Sequence, residues 1–216
     1  MRGRRAREIE AEAQRHLQPT GFLTLGWFRV EAGQSALMIG NVGSSLWSAF
    51  EASSQFADGQ ADPLDRWTRE VLDALGATLD CAVRYPFGSP LYPFQRYAAE
   101  AAQMRPSPLG LYIHPKHGLW VGLRGALVFD ETLTLPTPEI LPHPCESCAD
   151  KPCLSACPVS AFSGDGFEVS ACRSHISNDV GAECFNHGCL ARRACPVGAD
   201  KAYGDAQQRF HMEAFR

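Results

Sequence analysis

Cys145-Glu-Ser-Cys148-Ala-Asp-Lys-Pro-Cys153-Leu-Ser-Ala-Cys157-Pro158 and, after Cys172, Cys184-Phe-Asn-His-Gly-Cys189-Leu-Ala-Arg-Arg-Ala-Cys195-Pro196 hold eight of the nine cysteines of this chain. The first group is spaced C-x2-C-x4-C-x3-C-P, a lengthened form of the bacterial run that carries [4Fe–4S] clusters. Three neighbouring thiolates can hold three corners of one cube, while the cysteine before the proline commonly ligates the other. By that crossed rule Cys145, Cys148, Cys153 and Cys195 hold one [4Fe–4S] cluster, and Cys157, Cys172, Cys184 and Cys189 hold a second. The wider second group also permits self-contained ligation. Two other uses of the thiols stay open. A structural zinc site takes the same ligands, with His175 and His187 as candidates, although the Cys-x3-Cys-Pro closure is unusual for zinc. Disulfides need an oxidising compartment, and no export signal is read here. Cys81 lies apart in Leu79-Asp-Cys-Ala-Val83 and reads as a small core residue on a strand.

Working outward, 216 residues with 45% hydrophobic side chains suffice for one fair-sized domain or a domain with an appendage. A net charge of −4 gives no support for a nucleic-acid surface, which would need a cationic excess facing phosphate. Met1-Arg-Gly-Arg-Arg-Ala-Arg-Glu-Ile-Glu10 has a twin arginine with no apolar run behind it, and reads as an exposed amphipathic helix. No segment approaches the roughly 18 consecutive apolar residues of a membrane span, so a cytoplasmic location without membrane attachment is expected.

Four prolines between Glu131 and Pro144 remove backbone donors and disfavour helix, which makes this stretch an extended connector. The expected organisation is an α+β domain over 1–130, a linker over 131–144, a cysteine-rich domain over 145–203 and a tail over 204–216. In the first domain Gly21–Val30 and Ser35–Ile39 read as strands. Asp62–Gly76 is the clearest helix, with an Asp cap, Pro63 at its first position, Gly76 at its end and Leu64, Trp67, Val71 and Leu75 on the buried face. A strand over Thr78–Arg84, a helix over Pro93–Met104, and strands over Leu109–Ile113 and Leu119–Phe129 follow. Without strict βαβ alternation the pattern is an α+β sandwich.

Two places in that domain carry polar groups suited to a ligand. Gly40-Asn41-Val-Gly43-Ser44-Ser45 joins a strand to a helix through Trp47 and Phe50, where free backbone N–H groups can meet a phosphate; a plain turn capped by Ser is the simpler reading. In Ile113-His114-Pro115-Lys-His117-Gly118-Leu-Trp120-Val-Gly-Leu-Arg124-Gly125, polar and aromatic side chains interrupt apolar strands at a turn. That is the pattern of a pocket rim or of a solvated hairpin tip.

At these residues Phe22 to Phe129 resembles the cobalamin-processing proteins of the decyanase/dealkylase (CblC) type, whose flavin-reductase-like fold encloses a corrinoid. The matching stretches are Leu37-Met-Ile-Gly-Asn-Val-Gly-Ser-Ser-Leu-Trp-Ser-Ala-Phe50, Asp62-Pro-Leu-Asp65 and Ile113 to Gly125. The cysteine segment, including Cys172-Arg-Ser-His175, resembles the dicluster part of epoxyqueuosine reductases and reductive dehalogenases. The resemblance implies a flavin-reductase/nitroreductase-like α/β sandwich followed by a small ferredoxin-like domain with two [4Fe–4S] clusters. It implies a corrinoid reductase or processing enzyme in which Gly40, Asn41, Gly43, Ser44, His114, Trp120 and Arg124 contact cobalamin or another corrinoid, or FMN in a flavin-dependent alternative. Electrons would come from a donor such as a flavodoxin or a ferredoxin reductase. The glutathione-binding segment of the decyanases and the tRNA-binding repeats and catalytic acid of epoxyqueuosine reductases have no counterpart here, which turns the expectation away from thiol-dependent dealkylation and queuosine chemistry. The rival reading is a ferredoxin-like electron carrier that binds no corrinoid. Lys151, Arg192 and Arg193, set between the cysteines, are expected to offset cluster charge or meet an acidic donor.

Overall fold

The computed structural model of the chain describes residues 5–163 and 166–216. Met1–Arg4 of the expected N-terminal helix lie outside them. Contacts divide the chain into two compact units, one running from the N-terminus to Met104 with Gly122–Ile140, the other comprising Arg105–Val121 and Leu141–Arg216. The sequence reading set its boundary after residue 130. The contacts instead join Arg105–Val121 to the cysteine segment, because Leu109, Ile113 and Leu119 are buried in one cluster with Cys153, Cys195 and Ala191.

The first unit is built on a four-stranded sheet of β1 (Leu23–Arg29), β2 (Ser35–Val42), β3 (Ala82–Arg84) and β4 (Val121–Phe129), in the order β1-β2-β4-β3. β1 and β2 pair antiparallel, Trp27 opposite Leu37, as do β3 and β4, Val83 opposite Leu127. The central strand β2 is buried from Ser35 through Asn41, so Ser35-Ala-Leu-Met-Ile reads as a continuous apolar run rather than an alternation. One face, with Phe28, Val30, Ala36, Met38, Ala126 and Val128, packs on Phe94 and Tyr97 of a helix over Phe94–Ala102. The other takes two helices that contact each other, Ala6–Leu17 and Pro63–Leu79. Sheet and helices form the α+β arrangement expected from the mixed element order.

The N-terminal helix is not fully exposed. Ala6, Ile9, Ala13 and Leu17, at three- and four-residue steps, are buried, and Glu10 accepts a 2.9 Å hydrogen bond from Trp27 Nε1 on β1. The helix over Pro63–Leu79 differs from expectation at both ends. Asp62 is left-handed (φ 51°) and its side chain caps no backbone N–H. Gly76 does not end the helix, which continues to Leu79 and stops at left-handed Asp80. A Cβ on Gly76 would lie 2.7 Å from Val83 Cγ2 and 3.0 Å from the Cys81 carbonyl oxygen, so this glycine lets helix and β3 approach. That extra turn absorbs Thr78 and Leu79, leaving only Ala82–Arg84 as strand and placing half-buried Cys81 in the link before it. Thr68 and Leu72 are buried on the helix, whereas Val71 is half-buried.

The second unit is made of short pieces: helices over Pro152–Ser155, Val169–Ile176, Ala182–His187, Leu190–Arg193 and Asp205–Phe215, with two-residue ladders joining Arg105–Pro106 to Tyr112–Ile113 and Phe162–Ser163 to Gly166–Phe167. The expected strand over Leu109–Ile113 shrinks to Tyr112–Ile113 of the first ladder, that over Leu119–Phe129 begins at Val121, and His114 and Gly118 form an isolated bridge. Residues 131–144, with four prolines, contain no helix or strand. In the first unit Leu133 N donates to Ser35 Oγ (2.8 Å) and Gln103 to the Glu139 carbonyl; in the second, Arg105 donates to the Leu141 carbonyl (2.7 Å). No helix among the described residues is long and apolar enough to cross a membrane.

Gly76→Val should lower the urea midpoint of unfolding by the equivalent of about 1–3 kcal/mol through overpacking against Val83. Ala77→Val, exposed on the same helix, should cost only the difference in helix propensity, under about 1 kcal/mol. Equal losses would show that Gly76 has no packing role.

Candidate metal centre

The eight clustered cysteines come together in two sets. Cys148, Cys153 and Cys195 all act electrostatically on Cys145, and Cys148 and Cys195 on Cys153. Separately, Cys157, Cys184 and Cys189 act on Cys172, and Cys157 and Cys189 on Cys184. Cys157, next to Pro158, thus leaves its own run and joins the thiols of the second. Cys195 makes the opposite exchange.

Local structure explains how each sulfur is aimed. Pro152 opens the first short helix with Cys153 in its first turn, where backbone N–H groups of Cys153 and Leu154 meet its sulfur. Cys189 immediately precedes the helix Leu190–Arg193, whose first N–H groups lack intrahelical partners; those of Ala191 and Arg192 point at Cys189 Sγ. Leu190 N–H reaches Cys184, Val197 N–H reaches Cys195, and Ala161 N donates to Cys157 Sγ at 3.3 Å. Burial, and then the neighbouring sulfurs, push the Cys145, Cys153, Cys172 and Cys184 thiols up, Cys172 to about 11. Burial does the same to Cys189 and Cys195. The N–H donors work in the opposite sense by favouring thiolate. The second set lines a small cavity closed by Pro158, Phe162, Ile176, Leu190, Ala191 and Met212. Among the described residues no three His, Cys, Asp or Glu side chains converge closely enough to share one metal ion.

The hairpin Arg105–Val121 forms a wall of the first set. Leu109, Ile113 and Leu119 are packed with Cys153 and Cys195, and the turn lies against the residues after Pro196. Gly118 is left-handed (φ 60°), and a Cβ there would stand 1.8 Å from the Val197 carbonyl oxygen. His114 Nδ1 accepts from the backbone N–H of Lys116 (3.0 Å) and His117 (3.1 Å), which fixes the neutral Nε2–H tautomer. Burial, with the stacked His117 and Lys116 adding to it, holds its pKa down at about 4. Trp120 is 1% exposed. Its ring packs edge-on to Tyr203 (5.3 Å) and beneath the Arg192 guanidinium (4.4 Å), and its Nε1 has no hydrogen-bond partner among the described residues.

In the first unit the turn Gly40–Ser45 leads to a helix of only five residues, Trp47–Glu51. Asn41 is fully buried and donates from Nδ2 to the Gly43 carbonyl (2.8 Å), while its Oδ1 accepts from Arg124 Nε (3.5 Å). Arg124 also stands 3.7 Å from Asp65, whose carboxyl is pushed up by burial. Ser44 accepts at its carbonyl from Trp47 N (3.0 Å). Asn41, Gly43, Ser44 and Arg124 are therefore gathered at the end of β2, in one unit. His114 and Trp120 belong to the other.

Comparison with known protein families and with curated proteins finds no match. Among solved structures the chain is similar to the Caenorhabditis elegans B12-trafficking protein CblC, a homologue of human MMACHC, at 14% identity over 96% of this chain and 91% of that one, with a TM-score of 0.54. It is also similar to a selenomethionine-labelled epoxyqueuosine reductase (16% identity, 94% and 68% of the two chains, TM-score 0.53) and to epoxyqueuosine reductase from Streptococcus thermophilus (15%, 88% and 66%, TM-score 0.51). The chain shares the fold of these proteins. The expected relations to CblC-type proteins and to epoxyqueuosine reductases therefore hold at the level of fold, which is all that identities this low carry, and they do not extend to the dicluster character of the cysteine segment.

Tyr203 and the C-terminal helix make contacts that no local motif in their sequence announces. Tyr203 covers Trp120 and Arg192, and Gln208 Nε2 donates to the Tyr203 carbonyl (2.9 Å). Gln207 is fully buried on the same helix, although nothing in Asp205–Phe215 marks it out from the exposed polar residues beside it.

His114 makes stability depend on pH. Its pKa is depressed in the folded state, so its contribution is complete above the unfolded value of 6.5 and is lost as pH falls toward 4. His114→Asn keeps an acceptor for the two N–H groups and does not titrate. Urea midpoints of the two proteins should run parallel above pH 7, with the native protein falling away from the variant below about pH 6. Parallel curves down to pH 4 would contradict a buried neutral imidazole.

Proposed function

We propose that this chain is an iron–sulfur reductase acting on a corrinoid. Cys145, Cys148, Cys153 and Cys195 hold one [4Fe–4S] cluster and Cys157, Cys172, Cys184 and Cys189 a second. The observation that carries the reading is the gathering of eight thiols into two sets of four, each supplied with backbone N–H groups directed at sulfur.

The donor set suits the group. Soft thiolates with N–H···S hydrogen bonds and an apolar surround are the surroundings that tune iron–sulfur potentials. In a single zinc site all four sulfurs lie about 2.3 Å from one point. In a four-iron cube each thiolate binds a different corner, so the four sulfurs stand around a volume rather than a point. Clusters so held would supply one-electron transfers at low potential. The protein's own work is to exclude water around the sulfurs, with Phe162, Ile176 and Met212 at the second set and Leu109, Ile113 and Leu119 at the first.

The corrinoid half of the proposal is supported by the fold shared with a B12-trafficking protein, and the reductase half by the fold shared with epoxyqueuosine reductases. We assign corrinoid contact in the first unit to Asn41, Gly43, Ser44 and Arg124, where a buried amide and a guanidinium are already oriented at one strand end. Clusters held by these thiols would supply low-potential electrons for corrinoid reduction, taken from an external donor such as a flavodoxin or a ferredoxin reductase.

Anaerobic reconstitution should yield roughly eight iron and eight sulfide per chain, the content of two [4Fe–4S] clusters. Cys145→Ser should lower both, and Cys81→Ser should change neither. Titrated into cob(II)alamin, the reconstituted protein should convert the cobalt EPR signal from base-on to base-off at stoichiometric amounts. An unchanged cobalt signal beside intact clusters would replace this reading with an electron carrier, and a bound flavin in its place would mark a flavin-dependent reductase.

A further inference from the structure

We infer that Arg192 sets the reduction potential of the second cluster, through a positive charge clamped beside Cys189. The inference rests on the cluster reading above and assigns a tuning residue within it.

Lys151, Arg192 and Arg193 are all interleaved with the cysteines, and the structure separates them. Lys151 is exposed ahead of the first short helix. Arg193 is exposed and its charge is met by Glu183 at 2.6 Å. Arg192 is half-buried and has no carboxylate partner among the described residues. It is held on three sides instead. Nε and Nη2 donate to the Leu119 carbonyl at 3.1 and 2.6 Å, and the guanidinium lies 4.4 Å from the centre of the Trp120 ring and 4.6 Å from that of Tyr203. Its backbone N–H is directed at Cys189 Sγ, and its side-chain charge is close enough to interact with the same sulfur.

Reduction adds one negative charge to a cluster, so a fixed cation stabilises the reduced form and raises the potential. A cation already paired with a carboxylate, like Arg193, contributes little, and an exposed mobile one is screened by salt. Arg192 escapes both losses. Trp120, expected from the sequence at a ligand pocket, forms here one wall of the corner that holds the guanidinium, and Tyr203 the adjoining wall.

The test is an anaerobic redox titration followed by EPR on reconstituted native protein, Arg192→Gln, Arg192→Lys and Arg193→Gln, with iron and sulfide measured first in each. With full iron, Arg192→Gln should move one of the two midpoints to lower potential, by several-fold or more in the reduction equilibrium, and the other by less. Arg192→Lys should retain most of the native value, and Arg193→Gln should leave both midpoints in place. The inference is overturned by unchanged midpoints in Arg192→Gln, by an equal shift in Arg192→Lys, which would trace the effect to the shape of the clamp, or by loss of iron in Arg192→Gln, which would make Arg192 a structural support. Absence of iron and sulfide from the native protein would instead sink the cluster reading itself.

Discussion

Sulfur buried against sulfur is the constraint on which the second unit depends. Burial, with neighbouring sulfurs adding to it, makes ionisation of Cys145, Cys153, Cys172 and Cys184 harder, so these are poor thiolates unless something positive is placed among them. The chain meets this with backbone N–H groups, joined by the side-chain charges of Arg192 at Cys189 and Lys151 at Cys145. Its helices there are short, and their unpaired first N–H groups are spent on sulfur instead of on water or caps. Several short helices give several such starts, where one long helix would give a single one. The short pieces of the second unit are therefore what the thiols require of the chain around them.

So small a unit has little apolar surface of its own, and the hairpin Arg105–Val121 supplies what the cysteine segment lacks. Leu109, Ile113 and Leu119 complete the cluster around Cys153 and Cys195, and Trp120 provides a ring for Arg192 and Tyr203. The apposition of Gly118 and Val197 leaves no room for a side chain. One stretch of sequence thus serves both units, since Val121 lies in the second and the rest of β4 in the first.

In the first unit the central strand β2 is buried on both faces and ends in a turn whose polar groups satisfy one another. Asn41 links the Gly43 carbonyl to Arg124, and Arg124 reaches Asp65. A buried amide that uses both its oxygen and its nitrogen holds the strand end and the guanidinium in fixed orientation. The fold is shared with a B12-trafficking protein and with epoxyqueuosine reductases, so the fold by itself does not fix a function.

The sequence by itself determined the elements whose signals are local. Spacing and the two Cys-Pro closures marked eight thiols for a common role, the periodicity of Leu64, Trp67 and Leu75 marked the long helix, and four prolines marked the connector. It misjudged Gly76, Asp62 and Cys81, because a glycine that ends a helix and one that admits a neighbouring strand look alike until the strand is in place. Only the tertiary structure decided that the hairpin belongs with the cysteines, that Trp120 and Tyr203 enclose Arg192, and that Arg192 and Arg193, adjacent in the chain, differ in what surrounds their charge. Those outcomes depend on contacts between residues distant in the chain, such as Leu119 with Arg192 and Gly118 with Val197. Their energies come from close packing and desolvation, which local composition does not encode.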